Sequence, residues 1–215
     1  MKDLTKAHRV VAMAGTIIMV VLSLAAPSGS TYRYSFLFLL PLLWGVYALR
    51  YRLHLRPFHL GLFASALLLH NLGVFGFYRQ EFWRISFDTY VHFYFGAVCA
   101  ALLRQMLAGA YDLKAWRLWV AVILGILGCG AIHELVEWGS TMLLGPERGM
   151  LKTLADDPYD TQKDLLNNLL GTLTALTCAA LYHRMRKRPV SGLPRNTDNE
   201  PSSNRRGQIT ASSGS

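Results

Sequence analysis

Along the chain, apolar residues come in blocks of sixteen or more, separated by short polar or basic links. Blocks of that length match the roughly 20 residues an α-helix needs to cross the apolar part of a bilayer, about 30 Å thick. The pattern predicts six spans, at about 10–26, 34–49, 58–77, 90–107, 116–138 and 164–182. Pro41 falls inside the second as a tolerated kink. The fifth block runs on to about Leu144, too far for one straight span, with Gly139 and Gly145-Pro146 as the points where it ends or bends. The expectation is an all-α, polytopic membrane helical bundle over residues 1–188, followed by a disordered tail over 189–215. That tail is rich in Ser, Gly, Asn, Pro and Arg and holds nothing that could form a core. No internal repeat is visible.

Composition supports this. Of 215 residues, 52% are hydrophobic and only 16% charged, whereas a soluble domain carries about a quarter. The net charge of +9 raises the question of nucleic acid. The basic residues nevertheless lie in short clusters between apolar blocks, where membrane topology accounts for them. Membrane lipids are therefore the expected partners, and nucleic acid is not. Cys99, Cys129 and Cys178 sit inside apolar blocks without metal-ligand spacing and read as small packing residues. The first block, with its basic lead and Ala25-Ala26-Pro27, resembles a signal peptide, but Pro27 would hinder cleavage, so an uncleaved first span is expected.

Charge sets an orientation. With both termini cytoplasmic, 16 of the 22 Lys and Arg lie on the inner side, as the positive-inside rule requires. Nine of the 13 acids then fall on the outer side, a bias that rule does not explain.

Those acids gather with histidines. Gly130-Ala-Ile-His133-Glu134-Leu-Val-Glu137-Trp138 closes the fifth block, and Asp88-Thr-Tyr-Val-His92 opens the fourth. Asp156-Asp157-Pro-Tyr-Asp160-Thr-Gln-Lys-Asp164-Leu-Leu-Asn167-Asn168 leads into the sixth, and His70 and Asn71 lie late in the third. Alternating helix direction puts all of them at one depth. A charged side chain at mid-bilayer costs about 3 kcal/mol, and such residues usually mark a site. The spacings make stripes. Asp88 and His92 are four apart, as are His133 and Glu137; Asp160, Asp164 and Asn168 repeat at four.

Asp88, His92, Glu134, Glu137, Asp160 and Asp164 are the candidate catalytic residues, with His70, His133 and Asn168 supporting them. His92, Glu134, Glu137, Asp160 and Asp164 are candidate ligands for a divalent metal. Plainer readings stand beside these. Asp88-Thr89 and Asp160-Thr161 would serve as helix caps. Glu134 and Glu137, disfavoured by the dipole near a helix C-terminus, would pair with Arg148 or Lys152. A histidine among Phe93, Tyr94 and Phe95 is often a hydrogen-bonded core residue, and Asn167 and Asn168 would bond helix to helix. Gly125, Gly128, Gly130 and Gly171 mark close helix packing.

Asp157-Pro-Tyr-Asp160-Thr-Gln-x-Asp164, Glu134-x-x-Glu137-Trp138 and Asp88-x-x-x-His92-Phe93 together resemble the YjdF-like family of bacterial inner-membrane proteins. More distantly they are similar to VanZ-like membrane proteins. The likeness runs from about Phe36 to Tyr182, and His133 stands outside its motifs. It implies a multi-span protein of the bacterial cytoplasmic membrane and names no reaction. Three functions stay open. One is metal-dependent hydrolysis or transfer on a lipid or lipid-linked envelope substrate. Another is a proton- or cation-coupled transporter of small molecules. The third is a structural protein whose polar cluster locks four helices.

Overall fold

A computed structural model describes residues 2–28, 35–145 and 159–187. These form six α-helices in chain order: α1 (Lys2–Ala25), α2 (Ser35–Leu49), α3 (Pro57–Asn71), α4 (Phe87–Ala110), α5 (Ala115–Leu144) and α6 (Asp160–Lys187). The all-α membrane bundle read from the sequence is what the chain adopts. Five stretches are long and apolar enough to cross a membrane: Asp3–Ala25, Pro57–Phe75, Phe87–Ala110, Ala115–Leu143 and Asp160–Arg186. In α2 the apolar stretch is shorter, Leu39–Leu49. The proposed tail and the loop with Arg148, Lys152, Asp156 and Asp157 lie outside the described residues.

The helices divide into two trios. Ala12 and Met19 of α1, Leu43 of α2, and Leu60, Ala64 and Leu67 of α3 form one buried apolar cluster. Ala100 of α4, Leu118, Val122 and Ile126 of α5, and Leu176 of α6 form the other. The trios meet where α3 packs on α4, and Ser65 Oγ lies 2.8 Å from Tyr94 Oη across that junction. Outward-facing Leu124, Leu135 and Leu143 are exposed, as expected of helices whose solvent is lipid.

Helix ends differ from the expected spans for local reasons. Pro57 opens α3, a position where its missing N–H costs nothing. The helix stops at Asn71, and two short 3-10 turns, Leu72–Phe75 and Phe77–Arg79, follow through the left-handed Gly76. A two-residue hairpin then pairs β1 (Glu81–Phe82) with β2 (Ile85–Ser86). Its turn residues, Trp83 and Arg84, have φ of 51° and 64°, the conformation a tight hairpin demands.

Ser86 caps α4, its Oγ accepting from Thr89 N–H at 3.3 Å. The helix thus begins three residues earlier than expected, with Asp88 in its first turn rather than at its cap. Gly139 does not break α5. That helix continues to Gly145, whose φ of 83° ends it. Of the cysteines, Cys99 packs in the second cluster, whereas Cys129 and Cys178 are exposed on helix surfaces and fill no core.

Candidate functional site at the α4–α6 crossing

The closest approach in the fold is between α4 and α6, and glycines permit it. A Cβ at Gly171 would overlap the backbone of Phe93 and Ala97, and one at Gly96 would overlap the backbone of Asn168. Thr172 Oγ1 donates to Asn168 O at 2.8 Å and reaches Gly96 O at 3.4 Å. Asp88, His92 and Gly96 recur every four residues, so they share one face of α4. Asp164, Asn168 and Gly171-Thr172 make the opposing stripe on α6. Backbone contact at the glycines therefore fixes how closely the polar residues one and two turns away face each other.

The result is a compact trio of ligand-bearing side chains. His92 Nε2 lies 3.5 Å from Asp88 Oδ1 and 3.5 Å from Asp164 Oδ2. One ligand atom from each of the three residues falls within 4.8 Å of the others. His92 is 7% exposed and Asp164 4%. On the far side of the imidazole, Asn168 Nδ2 is 3.4 Å from Nδ1, while its own Oδ1 is buried with no hydrogen-bond partner among the described residues. Room for this amide comes from Gly130 of α5, whose missing Cβ would sit 3.0 Å from Asn168 Nδ2.

A row of rings extends from the trio. His92 and His133 are 6.1 Å apart by ring centroids, and His133 and His70 are 5.6 Å apart, edge to face. His133 Nε2 lies 3.2 Å from Glu137 Oε1. At the outer end Tyr78 Oη sits 2.9 Å from His70 Nδ1 and donates to His70 O at 3.0 Å. Gly73 makes this possible, because a Cβ there would overlap the Tyr78 ring. The ring is 38% exposed, but its hydroxyl turns inward onto His70. Burial first, then the negative carboxylates of Asp88, Glu137 and Asp164, push its pKa well above the ordinary tyrosine range.

Glu134 is 5% exposed. Thr161 Oγ1 donates to its Oε2 at 3.0 Å, and its Oε1 is buried with no partner among the described residues. Thr161 thus joins α6 to α5 rather than capping its own helix.

The four expected segments do converge at one end of the bundle. The tight trio, however, is Asp88, His92 and Asp164; Glu134, Glu137 and Asp160 stand outside it, although Glu134 and Asp160 act electrostatically on Asp164. Asn168 joins the trio through His92, and Asn167 does not. Of the glycines, Gly171 and Gly130 sit at close contacts and Gly125 meets Leu103, while Gly128 faces open space. Contributors that went unread in the sequence include Tyr78 and Gly96. Tyr78 carries no local signal, since it reaches His70 only by the turns between them. Gly96 had one, the spacing of four that continues the Asp88–His92 stripe.

Comparison with known proteins agrees with this architecture. Residues 7–185 match the family described as "Predicted membrane protein (DUF2238)". The chain belongs to that family. It is similar to Inner membrane protein YjdF of Escherichia coli (strain K12), with 29% identity over 112 residues. That match spans 50% of this chain and 54% of the relative, so the chain covers about half of the relative's length. The comparisons bring no support for the VanZ likeness. No solved structure matches.

Proposed function

We propose, for this member of the DUF2238 membrane family, that Asp88, His92 and Asp164 hold a divalent cation. In this reading the cation serves hydrolysis or transfer on a lipid or lipid-linked envelope substrate. The observation that carries it is the pair of 3.5 Å separations from His92 Nε2 to two carboxylates. They are long for strong hydrogen bonds. They suit two ligands sharing one ion, since bonds of about 2.1 Å at a tetrahedral angle place ligand atoms about 3.4 Å apart. Charge supports the same reading. Two carboxylates facing one imidazole, two of the three residues buried, would carry an excess of negative charge when both are ionised, which a low-dielectric interior penalises unless a cation or a proton compensates it.

Asn168 supports it from the other side. Its amide can turn by half a revolution, exchanging Oδ1 and Nδ2. With Oδ1 toward His92 Nδ1, the ring donates there and directs its Nε2 lone pair between the carboxylates. A cation bound at the trio would activate a water or polarise a substrate oxygen. Glu134, whose Oε1 has no partner among the described residues, would take a proton, and the His133–Glu137 pair would return one. Tyr78 and His70 would hold the substrate's polar group at the outer end.

A proton- or cation-coupled carrier is the second reading, favoured by the row from Tyr78 through His70 and His133 to His92. The apolar core beneath the site weighs against it. Ala100, Leu118, Val122, Ile126 and Leu176 fill that level, and among the described residues of α4–α6 Thr172 is the only buried polar one below Asn168. By the positive-inside rule the site would face outward and both termini would be cytoplasmic.

Elemental mass spectrometry of the detergent-purified protein, after exposure to Zn, Mn, Fe and Mg, tests the metal. About one ion per chain is expected, and it should be lost in Asp164→Asn of equal monodispersity. An unmetallated wild type, or an Asp164→Asn variant that keeps its ion, would sink the proposal.

A further inference from the structure

The opposite end of the bundle carries a second polar construction. The amino end of α1, the carboxyl end of α2 and the start of α3 meet there, around a cavity of about 450 Å³ lined by Thr5, Lys6, Arg9 and Tyr47. Arg50 stands behind the lining residue Tyr47. Its guanidinium lies 4.0 Å from the Tyr47 ring centroid and 4.3 Å from that of Tyr51, and its Nη1 donates to Tyr47 O at 2.6 Å. Its Nε is buried and has no hydrogen-bond partner among the described residues.

The cavity is built rather than incidental. His8 is buried, with Nδ1 2.7 Å from Leu4 O and Nε2 3.0 Å from Leu55 O, which pins α1 to the loop before α3. Tyr51 Oη is 2.5 Å from Thr5 Oγ1, which ties the same loop to the first turn of α1. These contacts fix Lys6 and Arg9 beside Tyr47.

Charge at this place is uncompensated. Among the described residues, no carboxylate lies within ion-pair distance of Lys6, Arg9 or Arg50. The amino end of α1 adds its own positive dipole. Membrane topology explains why basic residues lie at this end. It does not explain why two of them line a hollow while a third, stacked on its Tyr47 wall, keeps a buried N–H without a partner among the described residues. Basic pockets between helices at a membrane surface bind anionic headgroups, and a guanidinium stacked on aromatic rings is pre-set to recognise phosphate.

We propose that the cavity lined by Thr5, Lys6, Arg9 and Tyr47, with Arg50 stacked on Tyr47, binds a phosphate-bearing anion, carried by a membrane phospholipid or free in solution. The site is independent of the Asp88–His92–Asp164 trio, and either can fail without the other.

The test uses the full chain in a neutral detergent and reads the thermal midpoint in titrations with inorganic phosphate, phosphatidylglycerol and phosphatidylcholine. The wild type should be stabilised by phosphatidylglycerol more than by phosphatidylcholine. Stabilisation by inorganic phosphate alone would assign a free anion, and a requirement for phosphatidylglycerol would assign a lipid. Lys6 and Arg9 have exposed side chains, so Lys6→Gln/Arg9→Gln should melt like the wild type without ligand. It should bind the anion more weakly by roughly fivefold for each cation removed. Arg117→Gln removes one of the same charges at the same end of the bundle, away from the cavity, and should bind as the wild type does. Equal weakening in Arg117→Gln, unchanged binding in the double variant, or a wild type stabilised neither by inorganic phosphate nor by phosphatidylglycerol beyond phosphatidylcholine would overturn the proposal.

Discussion

In α1–α3 the helices meet through Met19, Leu43, Leu60 and Leu67. In α4–α6 the tightest contact is backbone on backbone, at Gly96 and Gly171. Buried polar groups differ accordingly. His8, in the first trio, has both ring nitrogens beside backbone carbonyls, Leu4 O and Leu55 O, so its polar partners are backbone groups. His92, in the second, faces two carboxylates and an amide from side chains only. Side-chain packing separates helix axes by the width of a leucine and leaves buried polar groups to find the backbone. Glycine packing brings axes together and makes side chains one or two turns away converge on each other. The first arrangement stabilises; the second assembles a site.

Substitution can test that contrast, beginning with the largest expected effect. Gly171→Val should force α4 and α6 apart, since its Cβ would enter the Phe93 backbone, which cannot yield as a flexible side chain would. Overpacking of this kind costs about 3 kcal/mol or more. Loss of the monodisperse peak, or a lowered unfolding midpoint in detergent, should report it; a wild-type midpoint would break the account of the crossing. His8→Ala should cost less, about 1–3 kcal/mol, because it removes the buried ring that reaches Leu55 O from α1 while apolar contacts persist. Its thermal midpoint should fall between those of Gly171→Val and wild type. Gly128→Ala should change stability by no more than about 0.5 kcal/mol, since nothing lies within 4 Å of the added methyl. A large effect there would mean that glycine in the second trio matters through backbone freedom rather than contact.

Much of this was legible in the residues. Block length and hydropathy predict the helices, because a bilayer-crossing helix must satisfy its own backbone and cover itself with apolar side chains. Helix direction and a spacing of four predict that Asp88, His92, His133, Glu137, Asp164 and Asn168 gather at one end. Ends were read less well. Ser86 rather than Asp88 caps α4, and α5 passes through Gly139, because caps and breaks depend on single hydrogen bonds and dihedrals that hydropathy does not encode.

What the sequence determined by itself is the class of fold, the depth of the polar groups and the face of each helix they occupy. These follow from periodicity and composition within one helix at a time. Only the tertiary structure decided which groups touch. It placed Asp88, His92 and Asp164 in one trio and left Glu134, Glu137 and Asp160 beside it. It also brought Tyr78 back onto His70. Those outcomes depend on rotation and separation between helices. Here they were set by the absence of side chains at Gly96, Gly171 and Gly73, and an absent side chain leaves its mark only when a second helix or ring moves into the space.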